Sequence, residues 1–137
     1  MATSNTPAQG TTGDTFANLR RYQYAQLTTF RKDGNAVSTP VWFAPDQDKL
    51  YVMTPSTTGK LKRIRNNGRV LLAPCTPSGK VLGEPVEAEA HELPLSEYSR
   101  AAAALTRKYG FLYRVFTFFL NVRKTKRTYI EIASHRI

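Results

Sequence analysis

The residues with the plainest chemistry lie between Asp48 and Glu84, a stretch that holds no acid. Within it the strand-like run Leu50-Tyr51-Val52-Met53-Thr54 breaks at Pro55. It gives way to Ser56-Thr57-Thr58-Gly59-Lys60-Leu61-Lys62-Arg63-Ile64-Arg65-Asn66, whose pattern predicts a cationic helix. A strand feeding a helix start is the outline of a phosphate seat. Backbone N–H groups of the first turn lack partners, the positive end of the helix dipole points the same way, and Ser56, Thr57 and Thr58 put hydroxyls where capping residues belong. Lys60 supplies mobile charge. Lys60 and Arg63 fall three residues apart on one face with no acid in the segment to pair them, which costs on the order of a few tenths of a kcal/mol per like-charge pair. Leu61 and Ile64 form the stripe that docks the helix, so its cationic side is left for an outside anion.

A small sheet has to hold this seat. Tyr22 to Arg31 has strand composition, and Lys32-Asp33-Gly34-Asn35 predicts a hairpin turn into a second strand, Ala36 to Phe43. Ala44 to Asp48 predicts a further turn and Lys49 to Thr54 a third strand, followed by the basic helix, which Asn66-Asn67-Gly68 ends. Val70 to Ala73 and Val81 to Glu92 extend the sheet, the latter alternating Val86, Ala88 and Ala90 against Glu87, Glu89 and His91. Tyr98 to Lys108 predicts a helix broken at Gly110, Phe111 to Val122 a second, and Thr128 to Ile132 the closing strand. The expected architecture is mainly β with appended helices. It is a split barrel of six antiparallel strands, with one helix after the third strand and a helical pair before the last.

With 137 residues the chain supports one domain, expected over 15–137, after a polar tail at 1–14. The 41% hydrophobic content places it in the globular class. A single cysteine, Cys75, forms no internal disulfide, and Met1 to Pro7 lacks the pattern of a secretion signal, so a cytoplasmic setting is expected. Phe111 to Val122 is too short for a membrane span. A net charge of +10 and a pI near 10.1 call for an anionic partner, with nucleic acid, an acidic membrane surface and a polyanionic small molecule as the three candidates. The acids crowd at Glu84, Glu87, Glu89, Glu92 and Glu97, which favours one basic cleft over a uniformly basic coat. No Cys/His spacing suits a metal and no Ser/His/Asp grouping stands out. Cys75 is expected to be buried and His91 to lie on a wet strand face.

Five segments carry a family resemblance in their order and spacing: Thr29 to Gly34, Ser38-Thr39-Pro40-Val41-Trp42-Phe43, Leu50 to Thr54, Gly59 to Asn66, and Val70 to Cys75. Together they resemble the flavin/deazaflavin oxidoreductases of the pyridoxamine 5′-phosphate oxidase-like split barrel, in the branch described as F420-dependent. The resemblance covers about Tyr24 to Glu92 and leaves Phe111 to Val122 outside, as a dimer contact or a lid. It implies a homodimer with a flavin-like ring in the groove between subunits, against Pro40, Val41 and Trp42. Thr54, Ser56 and Lys60 match phosphate-binding positions, Thr57, Thr58 and Gly59 shape the loop, and Arg63 is a further match. Vitamin B6 oxidases of this fold carry Ser-Arg-Lys in the loop, whereas Gly59 precedes Lys60 here, which points away from that substrate.

The cofactor implied is F420, with FMN the alternative. F420 adds to its phosphate a tail of glutamates that calls for an extended basic channel, for which Lys62, Arg63, Arg65 and the cluster Arg123, Lys124, Lys126 and Arg127 are candidates. The hydride belongs to the cofactor, so no catalytic residue is implied, and the acceptor is a small unsaturated or quinone-like molecule. Three other readings remain: an FMN oxidoreductase, a non-catalytic cofactor- or tetrapyrrole-binding protein, and a nucleic-acid-binding barrel. The last draws support from the pI and from Tyr22, Tyr24 and Phe30, but no nucleic-acid motif is present.

Overall fold

The computed structural model describes residues 16–134 apart from 18, 57 and 125. The expected tail at 1–14 and the candidate residue Thr57 lie outside the described residues. Seven strands form one antiparallel sheet: β1 (Tyr24–Phe30), β2 (Ala36–Trp42), β3 (Ala44–Asp46), β4 (Lys49–Pro55), β5 (Arg69–Cys75), β6 (Val86–Glu92) and β7 (Arg127–Ser134). Their order is β2-β1-β5-β6-β7-β4-β3. The sheet curls until β2 approaches β4 with no ladder between them, and there the barrel is split. Helix α1 (Gly59–Asn66) follows β4, and α2 (Tyr98–Tyr109) and α3 (Phe111–Val122) precede β7.

Strand alternation sorts the core into two layers. On β4, Leu50 and Val52 point into the barrel while Tyr51 and Met53 face the outer helices. β7 repeats this, with Ile130 and Ile132 inside and Tyr129 outside. Leu61 and Ile64, the predicted stripe of α1, are buried with the inner cluster. Ala101, Ala104 and Leu105 of α2 build the outer one.

Three expectations on the elements need correction. The segment predicted as a turn at Ala44 to Asp48 holds a seventh strand, because a tight reversal with Gln47 at φ 59° sets Asp46 opposite Lys49. The strand expected from Val81 begins at Val86. Gly83 and Pro85 interrupt it, Pro85 has no N–H to give, and Val81 makes only an isolated bridge to Cys75. The basic helix starts at Gly59, not Ser56. β4 stays paired to β7 through Pro55, the Ser56 N–H donates to the Lys126 carbonyl at 3.0 Å and the Thr58 N–H to the Pro55 carbonyl at 3.2 Å, so a turn takes the place where the sequence suggests the helix start.

The outer layer is pinned by Tyr109, whose single hydroxyl proton is shared between the carbonyl oxygens of Gln23 (2.7 Å) and Phe43 (2.8 Å) and whose oxygen accepts from the Phe43 N–H at 2.9 Å. Beside it the Lys108 ammonium is sealed from water with no hydrogen-bond partner among the described residues. It stands 3.4 Å from the Phe43 ring centroid, and burial pushes its pKa down to about 8. A group whose folded pKa is depressed on the cationic side costs stability below that value, and the cost fades as the pH rises toward the ordinary lysine range. Lys108→Met is therefore expected to raise the unfolding midpoint at pH 7, with a gain that shrinks between about pH 8 and the ordinary value of 10.5. Thermal unfolding across that range checks it, and a pH-independent difference would refute the buried-charge account.

Candidate functional site

Two clefts border α1. The first, of about 330 Å³, opens at the split between β2 and β4. Pro40, Val41 and Trp42 form one wall, Met53, Thr54 and Pro55 the other, and Tyr24 lies beside Trp42, its partner in the hairpin register. Leu105 of α2 with Tyr113 and Phe116 of α3 close the outer side, and Lys60 projects in from α1. The size falls at the lower end of the range for small-molecule sites, and the composition fits it, an apolar body with few polar groups. Trp42 is stacked on Tyr109 (4.6 Å, 13° between planes) and tilted against Phe116 (5.5 Å), so the wall is stiff. Tyr113 shares a hydrogen bond with Tyr129, and burial pushes its phenol well above the ordinary value.

The second cleft, of about 290 Å³, is lined by Arg31 and Lys32 from the β1–β2 turn and by Gly59, Lys62, Arg63 and Asn66 of α1. Four cations face it and no acid does. Arg63 Nε donates to the Thr29 hydroxyl at 2.6 Å and its guanidinium lies across Gly59, where a Cβ would stand 2.8 Å from a guanidinium nitrogen. Burial and the neighbouring Arg63 push the Lys60 ammonium below its ordinary value, and burial with Arg31 does the same to Arg63. Among the described residues no carboxylate forms an ion pair with Lys60, Lys62 or Arg63. An anion bound here would relieve a repulsion the fold maintains.

The sequence-predicted residues divide between these clefts. Pro40, Val41, Trp42, Thr54 and Lys60 line the first, while Gly59 and Arg63 line the second. Ser56 and Thr58 sit on the connecting turn without lining either, and the capping role expected of them fails. Thr58 occupies the N-cap position with no side-chain cap bond, since its hydroxyl is 3.0 Å from that of Thr54. Arg65 is also removed from the expected channel, held by Glu92 at 2.8 Å, and Glu92 is held below the ordinary carboxylate range by that contact. Arg123, Lys124, Lys126 and Arg127 border neither cleft. Cys75 is buried as expected, and burial raises its thiol pKa.

Several wall residues escaped the sequence reading. Tyr24 was within reach, because the Asp33-Gly34 turn fixes the register that sets it opposite Trp42. Leu105, Tyr113 and Phe116 carry no such signal, since only the docking of α2 and α3 onto the sheet brings them near.

The sequence profile described as pyridoxamine 5'-phosphate oxidase matches residues 13–137, running well beyond the Tyr24 to Glu92 stretch and through α3. No curated protein sequence matches. Among solved structures, the chain is similar to HutZ, a heme storage protein from Vibrio cholerae (TM-score 0.64, 10% identity, covering 84% of this chain and 83% of that one). It is also similar to an FAD-binding protein from Mesorhizobium loti (TM-score 0.58, 17% identity, 85% and 82% covered). A conserved hypothetical protein from Mycobacterium tuberculosis compares equally well (TM-score 0.62, 17% identity, 83% and 74% covered). At such identities these likenesses speak for the fold alone. The profile spanning nearly the whole chain, on a seven-stranded split barrel with appended helices, means that this chain belongs to the pyridoxamine 5'-phosphate oxidase-like family.

Proposed function

We propose that the chain is an oxidoreductase that uses the deazaflavin F420 to transfer a hydride to or from a small unsaturated or quinone-like molecule. The observation that carries this reading is the pairing of an apolar cleft with a second cleft lined by four cations and no acid among the described residues, both bordering one helix that offers Lys60 to the first and Lys62 and Arg63 to the second. A flat ring suits the first. FMN ends in a single phosphate, whereas the longer anionic tail of F420 gives the second cleft an occupant.

The cofactor, when bound, supplies the hydride chemistry. The protein's part is placement. Trp42, stiffened by Tyr109, and Val41 give the ring a fixed wall, and Lys60 receives a phosphate. Tyr113, an uncharged phenol tied to Tyr129, leaves the outer wall neutral. β2 is an edge strand with Pro40 exposed at the cleft, so a second copy of the chain set against that edge would complete the pocket as a homodimer.

Trp42 is the only tryptophan in the chain and it lines the cleft, so its emission reports occupancy. Titration with F420, FMN and hemin is expected to show F420 binding tightest. Tighter FMN binding would replace the deazaflavin by a flavin on the same site. Tighter hemin binding, the outcome that HutZ makes worth testing, would turn the reading toward a tetrapyrrole store.

A further inference from the structure

Helix α3 turns only part of its circumference to the fold. Tyr113 and Leu120 are buried and Phe116 packs on Trp42, while Phe111 (78% exposed), Leu112 (60%), Phe118 (62%), Phe119 (57%) and Val122 (62%) face outward. At 100° per residue these five span an arc of about 120° on the side away from Tyr113 and Leu120. Isolated exposed apolar residues need no explanation, but five on one arc of one helix do. Basic residues rim the arc: Arg114 borders it, and Arg123, Lys124 and Lys126 follow its end, all exposed. No acid occurs from Tyr98 through Ile130.

We infer that α3 is a peripheral membrane-docking helix, which seats its phenylalanine arc in the interface of a bilayer rich in anionic lipid. The dimensions are those of a surface helix. It has twelve residues, and no described helix is long and apolar enough to cross a membrane. Charge decides between a lipid surface and a second copy of the chain. A two-fold contact places the same patch on itself, so it would press Arg114, Arg123, Lys124 and Lys126 of one copy toward the same cations of the other, with no acid on the segment to compensate. An anionic headgroup layer meets both features at once, taking the rings at the acyl boundary and the cations at the phosphates. Tyr113 and Phe116 of the same helix wall the first cleft, so docking would set that cleft one helix thickness from the bilayer.

Sedimentation with vesicles tests this on the full chain. Vesicles of equal phosphatidylglycerol and phosphatidylcholine are expected to retain the protein, and pure phosphatidylcholine to retain it several-fold less. Each of Arg123→Ala and Lys126→Ala should weaken retention about fivefold. The double variant F118D/F119D, whose side chains are exposed and whose fold circular dichroism can verify, should abolish it. Sedimentation velocity without lipid supplies the second measurement, in which the double variant should keep the oligomeric state of the parent. No retention by anionic vesicles, retention that survives F118D/F119D, equal retention by neutral vesicles, or an oligomer that falls apart in the double variant would each overturn the inference. The last of these would assign the face to a second copy.

Discussion

Lys60→Ala is expected to weaken cofactor binding by about 10- to 100-fold. A charge-assisted hydrogen bond from a half-buried ammonium contributes about 1.5–3 kcal/mol, and 1.4 kcal/mol is about one decade of affinity. The geometry supports the upper part of that range, because Lys60 is the cation that projects into the apolar cleft and already feels burial and Arg63. Removing it also relieves part of the repulsion on α1, so the variant should fold at least as well as its parent, and loss of binding will not be mistaken for loss of structure. Lys80→Ala, an equal change of charge on an exposed turn, should leave affinity unaltered. Titration of Trp42 emission in the three proteins reads the difference directly. Equal affinity in Lys60→Ala and its parent would remove the phosphate seat from this helix and with it the redox reading.

Glu131→Ala should cost about 3 kcal/mol of stability, toward the lower end for removing one member of a buried charge cluster. Glu131 is buried on β7 and accepts from the Tyr51 hydroxyl and Arg100, both at 3.0 Å. Its other oxygen lies 3.2 Å from His91 Nε2 and 3.8 Å from Lys49 Nζ. Arg100 and Lys49 are 45% and 40% exposed, so water can resolvate them once the carboxylate has gone. Tyr51, 2% exposed, has no such recourse: Arg100 can only donate to it, so its O–H is left without the acceptor that Glu131 supplied. Urea unfolding measures the effect, and a loss below about 1 kcal/mol would show that the cluster is decoration. The same contact has an alkaline signature. Burial first, then the hydrogen bond and charge of Glu131, raise Tyr51 to about 12, so its share of stability is complete below 10 and lost as the pH climbs through 12. Glu131→Gln should bring that loss to lower pH, followed as phenolate absorbance.

Local chemistry was legible in the sequence and long-range placement was not. The Asp33-Gly34 hairpin, the alternation in β6 and the α3 boundaries follow from turn residues and periodicity, which act over a few positions. Ser56 shows where such reasoning stops. Its hydroxyl and position suggest a cap, yet a backbone bond to Lys126, distant in sequence, holds it on the turn after β4, ahead of the helix. Of the ten candidate residues nine are described, and they divide in the same way. Those on strands or on α1 reached a cleft, whereas Ser56 and Thr58 on the turn between them did not. Glu131 in Thr128 to Ile132 gave no warning of its partners, because Tyr51 and Arg100 come from 80 and 31 residues away.

The joint between α2 and α3 is a single residue, Gly110 at φ 56°, which ends one helix and begins the next. A joint so short leaves no slack for sliding, so the corner fixes the angle between the two helices. Tyr109 anchors its inner side to the sheet, and the bond shared by Tyr113 and Tyr129 ties the first turn of α3 to β7, which holds Phe116 against Trp42. With Arg127 donating to Asn121 at the far end, the outer helix is clamped at both ends as a beam is.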